Sequence, residues 1–286
     1  MDIRQAEIRK RKIILLSLIF TFGFCLFILI GTLMASEIVA TGEIKIPEKS
    51  WYENFGDLDT VSIGVFESSY PELKNNFEHT IGTIYLTFDD GPGEYTAKLL
   101  DILKKYNVKA TFFVTGYGDD AIIQREHDEG HTVALHTFSH KYNIVYSSVE
   151  NYFNDLSQIA DRVKRITGED SKIIRFPGGS SNTVSAKYDG PIRIMSVLSQ
   201  EVLARGYVYF DWNVDSNDAG NINSADTVYE NVVTRLREGA NVVLQHDIKG
   251  FSVDAVERII EYGLANGYDF KALSMDSPAI RHGINN

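Results

Sequence analysis

The sequence predicts a parallel α/β fold with its strands arranged as an incomplete barrel, and three observations carry that expectation. From residue 83 onward, short apolar runs alternate with amphipathic stretches about seven times over some 190 residues. Such alternation requires parallel strands joined by crossover helices. Gly130, Gly168 and Gly206 follow three of the helical stretches, where glycine is the usual stop residue. Acids, histidines and glycines recur just after successive strands, as they do when one mouth of a barrel is built from the loops that leave it. An open doubly wound sheet is the alternative, and it would confine such residues to the strands beside its switch point.

Taken in order, residues 83–88 read as a strand, and 95–106 as a helix with Ala97, Leu100, Ile102, Leu103 and Tyr106 toward the core. A second strand covers 109–114, a helix 120–129, a third strand 132–136, and a long amphipathic helix 149–166. The fourth strand is 172–176, followed by a helix over 192–204, a fifth strand over 207–212 and a helix over 227–237. A sixth strand at 242–245, a helix at 253–265 and a short strand at 270–273 complete the pattern.

The N-terminus is a separate element. Arg4, Arg9, Lys10, Arg11 and Lys12 make a basic flank over 1–12, and an uncharged, mostly apolar run occupies 13–36. That run exceeds the ~20 residues needed to cross a bilayer and the roughly 7 to 15 of a signal-peptide core. It reads as a transmembrane signal anchor, with a cleaved signal peptide as the competing reading. Leu33-Met34-Ala35 is a poor cleavage site, which favours the anchor. The basic flank stays cytoplasmic by the positive-inside rule, so the chain is expected at the cell membrane, single-pass, with everything after about Glu37 extracytoplasmic. Residues 37–80 have mixed composition and form a spacer, and the domain proper is 81–286.

Cys25, in the apolar run, is the only cysteine, so the exported part relies on its core and not on disulfides. Of 28 basic and 39 acidic side chains, five basic and two acidic fall in residues 1–36, which leaves the remainder near −14. That balance argues against a nucleic-acid partner and against docking on an anionic membrane surface.

Five strand-end strings carry the chemistry. Thr87-Phe88-Asp89-Asp90-Gly91-Pro92 ends the first strand, and its paired acids can take different roles only if the backbone turns there. His136-Thr137-Phe138-Ser139-His140 follows the third strand. Histidines at i and i+4 on one helical turn reach a single metal ion, and Asp90 would complete a ligand set of two histidines and one carboxylate. Arg175-Phe176-Pro177-Gly178-Gly179 follows the fourth strand. Its arginine would hold Asp89 ionised and oriented, and its glycines would let amide N–H groups approach a developing oxyanion. Asp215-Ser216-Asn217-Asp218 follows the fifth strand and Leu244-Gln245-His246-Asp247 ends the sixth. His246 suits a general acid, and Asp247 reads as a strand-end cap.

Together these strings resemble the polysaccharide deacetylases of carbohydrate esterase family four, over about 81–286. The resemblance implies a distorted (β/α) barrel of about seven strands and a metal-dependent hydrolase. It implies Asp89 as catalytic base, Asp90, His136 and His140 as ligands of a divalent cation, and Arg175 as the residue that positions the base. Asp218 would orient His246, which would protonate the departing amine. Two departures stand out. Many members carry Pro-Pro-Tyr-Gly after the arginine, where the tyrosine amide helps to bind the oxyanion. Here Phe176-Pro177-Gly178-Gly179 stands instead, leaving the Gly178 amide and no aromatic wall. Many members also follow the fourth-string aspartate with tryptophan, and here it is Ala219. The acetyl pocket would then be more open, or lined by Trp212 or Leu244.

The expected substrate is a glycan polymer, the N-acetylglucosamine units of peptidoglycan, with no obligate protein partner evident. An O-acetyl polysaccharide (xylan) esterase using the same residues, or a non-catalytic wall-binding module, are the other readings. Zinc suits the ligand set, as would cobalt, nickel, manganese or iron. The remaining histidines, His79, His127, His131 and His282, are expected to be structural or solvated.

Overall fold

The computed structural model describes residues 80–190 and 192–286. The basic flank, the expected anchor at 13–36, nearly all of the spacer at 37–80, Cys25 and His79 lie outside the described residues. Chain order is β1 (Gly82–Asp89), α1 (Thr96–Lys105), β2 (Thr111–Val114), α2 (Asp120–Asp128), β3 (Thr132–Leu135), α3 (Tyr142–Val145), α4 (Val149–Thr167) and β4 (Ile173–Ile174). Then come α5 (Ile194–Ala204), β5 (Val208–Tyr209), β6 (Val214–Asp215), α6 (Ala225–Val233), β7 (Gly239–His246), α7 (Gly250–Ala265) and β8 (Tyr268–Phe270).

All strands are parallel and run in the order β5-β4-β3-β2-β1-β7-β6. One edge of β1 is shared. Residues 82–84 pair with β8, and residues 87–89 pair with β2. The sheet curls as an incomplete barrel, because β5 and β6 end the order without pairing to each other. At β5 the C-terminal segment takes over: the amide of Asp211 donates to the Ile280 carbonyl and that of His282 to the Asp211 carboxylate.

Strand pattern sets what faces inward. Ile84, Leu86 and Phe88 join the helix-covered core, whereas Tyr85 packs inside with Phe113, Ala134, Ile173, Phe210 and Val242. By the two-residue period of a strand, Thr87 and Asp89 continue the inner face of Tyr85. His136, Arg175, Leu244 and His246 extend the inner series of their own strands in the same way.

The helices that cover the outer face are capped as their sequences allow. In α4, the Ser148 hydroxyl accepts from the Asn151 amide, Lys164 and Arg165 sit in the last turn, and Gly168 closes the helix at φ 80°. Its stripe of Tyr152, Leu156, Ile159 and Val163 is buried, and truncating one such residue to alanine costs about 2–5 kcal/mol.

Some boundaries differ from expectation. β4 and β5 pair over only two residues each, although 172–176 and 207–212 read as full strands. The Arg175 amide still donates to the Leu135 carbonyl of β3, and its side chain turns to the centre of the barrel. β6 has no counterpart among the predicted strands, since a two-residue strand has no alternation to read. β7, in contrast, begins three residues earlier than expected, at Gly239.

Candidate active site

All five strings converge on the C-terminal mouth of the barrel. Asp90 leaves the ladder at the end of β1 with φ 74°, so its side chain diverges from that of Asp89. The ligand atoms of Asp90, His136 and His140 all lie within 4.8 Å of one another. Asp90 Oδ1 is 3.6 Å from His136 Nε2 and 3.3 Å from His140 Nε2, and it is buried without a hydrogen-bond partner among the described residues. A buried carboxylate oxygen aimed at two imidazole nitrogens but bonded to neither fits a cation between the three. His136 Nδ1 donates to the Arg175 carbonyl at 2.8 Å, which leaves Nε2 as the lone-pair atom facing Asp90. Burial, then the neighbouring His140, push His136 down to about 3, so the ring is neutral and able to ligate.

The histidines do not lie on a helical turn, as the i, i+4 spacing suggested. They span a loop in which Thr137 and His140 both have positive φ, 77° and 52°. Asp155 of α4 secures that loop, accepting from the Phe138 amide at 2.6 Å and the Ser139 amide at 3.1 Å. Sequence reasoning passed over Asp155, because an acid inside a helix usually belongs to the solvated face. Its register with Tyr152, Leu156 and Ile159 was the available signal.

Beside the ligand pocket, Arg175 is almost fully buried and donates to Asp89 Oδ1 at 2.8 Å and to Thr87 Oγ1 at 2.7 Å. It also donates to the carbonyls of Phe210 and Asp211, and its guanidinium lies 4.2 Å from the Phe113 ring centroid and 5.7 Å from that of Trp212. Asp89 is thereby fixed through one oxygen, and its Oδ2 faces the pocket 3.8 Å from His136 Nε2.

Across the mouth, Asp218 accepts from both His246 Nδ1 and the His246 amide at 2.7 Å. Burial opposes a charge on His246, yet the bond to Asp218 and the charges of Asp218, Asp89 and Asp90 push the imidazole up to about 9. Its Nε2 points back into the site, 3.9 Å from Asp90 Oδ2.

The remaining predicted site residues are also present at the mouth. Gly178 is exposed with φ 75°, and among the described residues its amide N–H has no acceptor. Trp212 stands edge-on to His282 at 4.7 Å, and Leu244 lies two residues before His246 on β7. Asp247 does more than cap a strand end. It is fully buried against Gly91, where any Cβ would collide with its carboxylate, and Thr96 at the start of α1 donates to it. Burial pushes Asp247 up to about 7, against the Thr96 bond. His282 is partly buried and bonded, with Nδ1 on the Ser181 hydroxyl and Nε2 on the Trp212 carbonyl.

Such an arrangement can hold a divalent cation beside a fixed carboxylate base and a cationic imidazole acid, as hydrolysis of an acyl group requires. A sequence model of the polysaccharide deacetylase family matches residues 78–190. The chain is 34% identical over 201 residues to a peptidoglycan-N-acetylglucosamine deacetylase of Bacillus cereus, covering 68% of this chain and 70% of that one. It is 30% identical over 196 residues to a peptidoglycan-N-acetylmuramic acid deacetylase of Bacillus subtilis, covering 67% and 70%. Among solved structures, the catalytic domain of a peptidoglycan N-acetylglucosamine deacetylase from Eubacterium rectale superposes with a TM-score of 0.69 at 51% identity. The overlap takes in 73% of this chain and 96% of that one.

Proposed function

The chain belongs to the polysaccharide deacetylase family, and from that premise we propose that it is a metal-dependent hydrolase of N-acetyl groups on N-acetylglucosamine units of peptidoglycan. The observation that carries the reading is the unpartnered Asp90 oxygen between two histidines, with the Arg175–Asp89 and Asp218–His246 pairs on either side.

Asp90, His136 and His140 would hold the cation, with zinc best suited to the donor set, and the cation would polarise the acetyl carbonyl and the attacking water. Asp89, held by Arg175, takes a proton from that water, and the oxygen so freed bonds to the acetyl carbon. The Gly178 amide donates to the carbonyl oxygen as negative charge develops there. His246, cationic through Asp218, gives its Nε2 proton to the sugar nitrogen as the C–N bond breaks, and acetate departs. Trp212 and Leu244 are the candidates for the wall around the acetyl methyl.

The location follows from the N-terminus. A basic flank before an apolar run of membrane-spanning length supports a single-pass anchor with residues 81–286 extracytoplasmic, beside the wall polymer.

Acetate release from purified wall glycan, from an N-acetylglucosamine oligomer and from acetylated xylan tests the reading. Release from the first two, lost on chelation and restored by zinc, is the expected result. Release from the xylan alone would replace it with the esterase reading. Asp89→Asn should lower kcat at least a thousandfold while the melting temperature stays within a few degrees, and turnover in that variant would refute the assigned base.

A further inference from the structure

We propose that the Tyr142 hydroxyl donates a hydrogen bond to the acetyl oxygen beside Gly178, so that the first residue of α3 supplies the aromatic wall absent from the loop after β4. The inference rests on the deacetylase reading and adds a donor to it. A Cβ built on Gly178 would lie 2.6 Å from Tyr142 Oη and 3.5 Å from its Cζ. A side chain at position 178 and Tyr142 in its observed place therefore exclude each other. Glycine at 178 leaves the space that the phenol fills.

The ring is held from two sides. It stands edge-on to His140, with centroids 5.9 Å apart and planes at 87°, and it packs on Tyr146 at 5.4 Å. Tyr146 is fully buried, and its hydroxyl donates to the Pro177 carbonyl at 2.7 Å, which ties the tyrosine pair to the segment that carries Gly178. Tyr142 itself is half-buried, and among the described residues no protein group hydrogen-bonds its hydroxyl. Gly178 and the Tyr142 hydroxyl are thus immediate neighbours, the Tyr142 ring lies against a candidate ligand histidine, and neither the O–H nor the Gly178 N–H is used among the described residues. The carbonyl oxygen of the acetyl group is the acceptor that the reaction presents there, and its acceptor strength grows as it becomes an oxyanion.

The test compares the full-length protein, metal-loaded, with Tyr142→Phe and Tyr142→Ala. Acetate release is followed on wall glycan, N-acetylglucosamine oligomer and acetylated xylan, with thermal unfolding in parallel. Tyr142→Phe keeps the ring contacts and removes only the donor. It should unfold at the wild-type temperature, keep KM within twofold and lose at least tenfold in kcat on whichever polymer is turned over. Tyr142→Ala should also raise KM, since the ring is gone. A Tyr142→Phe enzyme with kcat within twofold of wild type overturns the proposal, as does one whose loss lies wholly in KM. Wild-type protein that releases no acetate from any of the three polymers refutes the functional reading itself, and this inference with it.

Discussion

Asp218 accepts two hydrogen bonds from the same residue, one from the His246 ring and one from its amide, so that both the imidazole and the backbone carrying it are held. Burial would raise the Asp218 pKa, but the bonds and charge of His246 lower it, so the pair is an ion pair at neutral pH. A general acid must carry its proton at the working pH, and the carboxylate keeps the proton on His246 up to about 9. Replacing Asp218 by asparagine removes the charge and keeps the shape. The alkaline limb of the kcat/KM profile should then move to lower pH by at least one unit, and an unmoved limb would assign that limb to another group. At this scale the sequence was most legible. The residues at 89, 90, 136, 140, 175, 218 and 246 all stood in strand-end strings, and the family resemblance those strings carry supplied their expected roles. Tyr142 and Asp155 were not singled out, since a tyrosine near a histidine and an acid in a helix each have common uninformative uses, and Asp247 was read only as a strand-end cap.

The loop from His136 to His140 lies between an element that sets its start and one that sets its course. β3 delivers His136 to the inner face, and Asp155 of α4 takes two consecutive amides of the loop. Without that carboxylate, two partly buried N–H groups lose their acceptor, at about 1–3 kcal/mol each. Asp155→Ala should therefore weaken metal affinity about 10- to 100-fold, the range found when the groups supporting metal ligands are lost. Titration with a competing chelator reads that change directly, and unaltered affinity would show that the ligand loop holds its shape without α4. Helix and long-strand positions were readable from periodicity and from the glycine stops. The two-residue strand β6 was not, nor was the shortness of β4 and β5, because pairing that short is decided by neighbours and not by local pattern.

The curled sheet separates chemistry at one mouth from support at the other. At the supporting end, His131 is buried, its Nδ1 accepts from the Ala110 amide, and its Nε2 has no partner among the described residues. Burial and the charge of Lys109, with Arg125 adding and Glu129 opposing, push it down to about 4. An unfolded chain would protonate this ring near its ordinary value of about 6.5. The folded state binds the proton less readily, so the stability contributed is present in full above about 6.5 and is lost as pH falls through about 4. His131→Gln should flatten the melting-temperature profile over that window while the activity profile keeps its shape, and an unchanged acid slope would locate the sensitivity elsewhere. Local rules were enough for the alternation of strands and helices and for placing the candidate strings at strand ends. Both of these depend on neighbours within a few residues along the chain. Only the tertiary structure decided that the sheet stays open between β5 and β6, that residues 280–282 lie against β5, and that Tyr142 fills the space over Gly178. Each of those is a contact between segments far apart in sequence or on separate loops, set by how the whole barrel closes, and no periodicity in a single stretch encodes it.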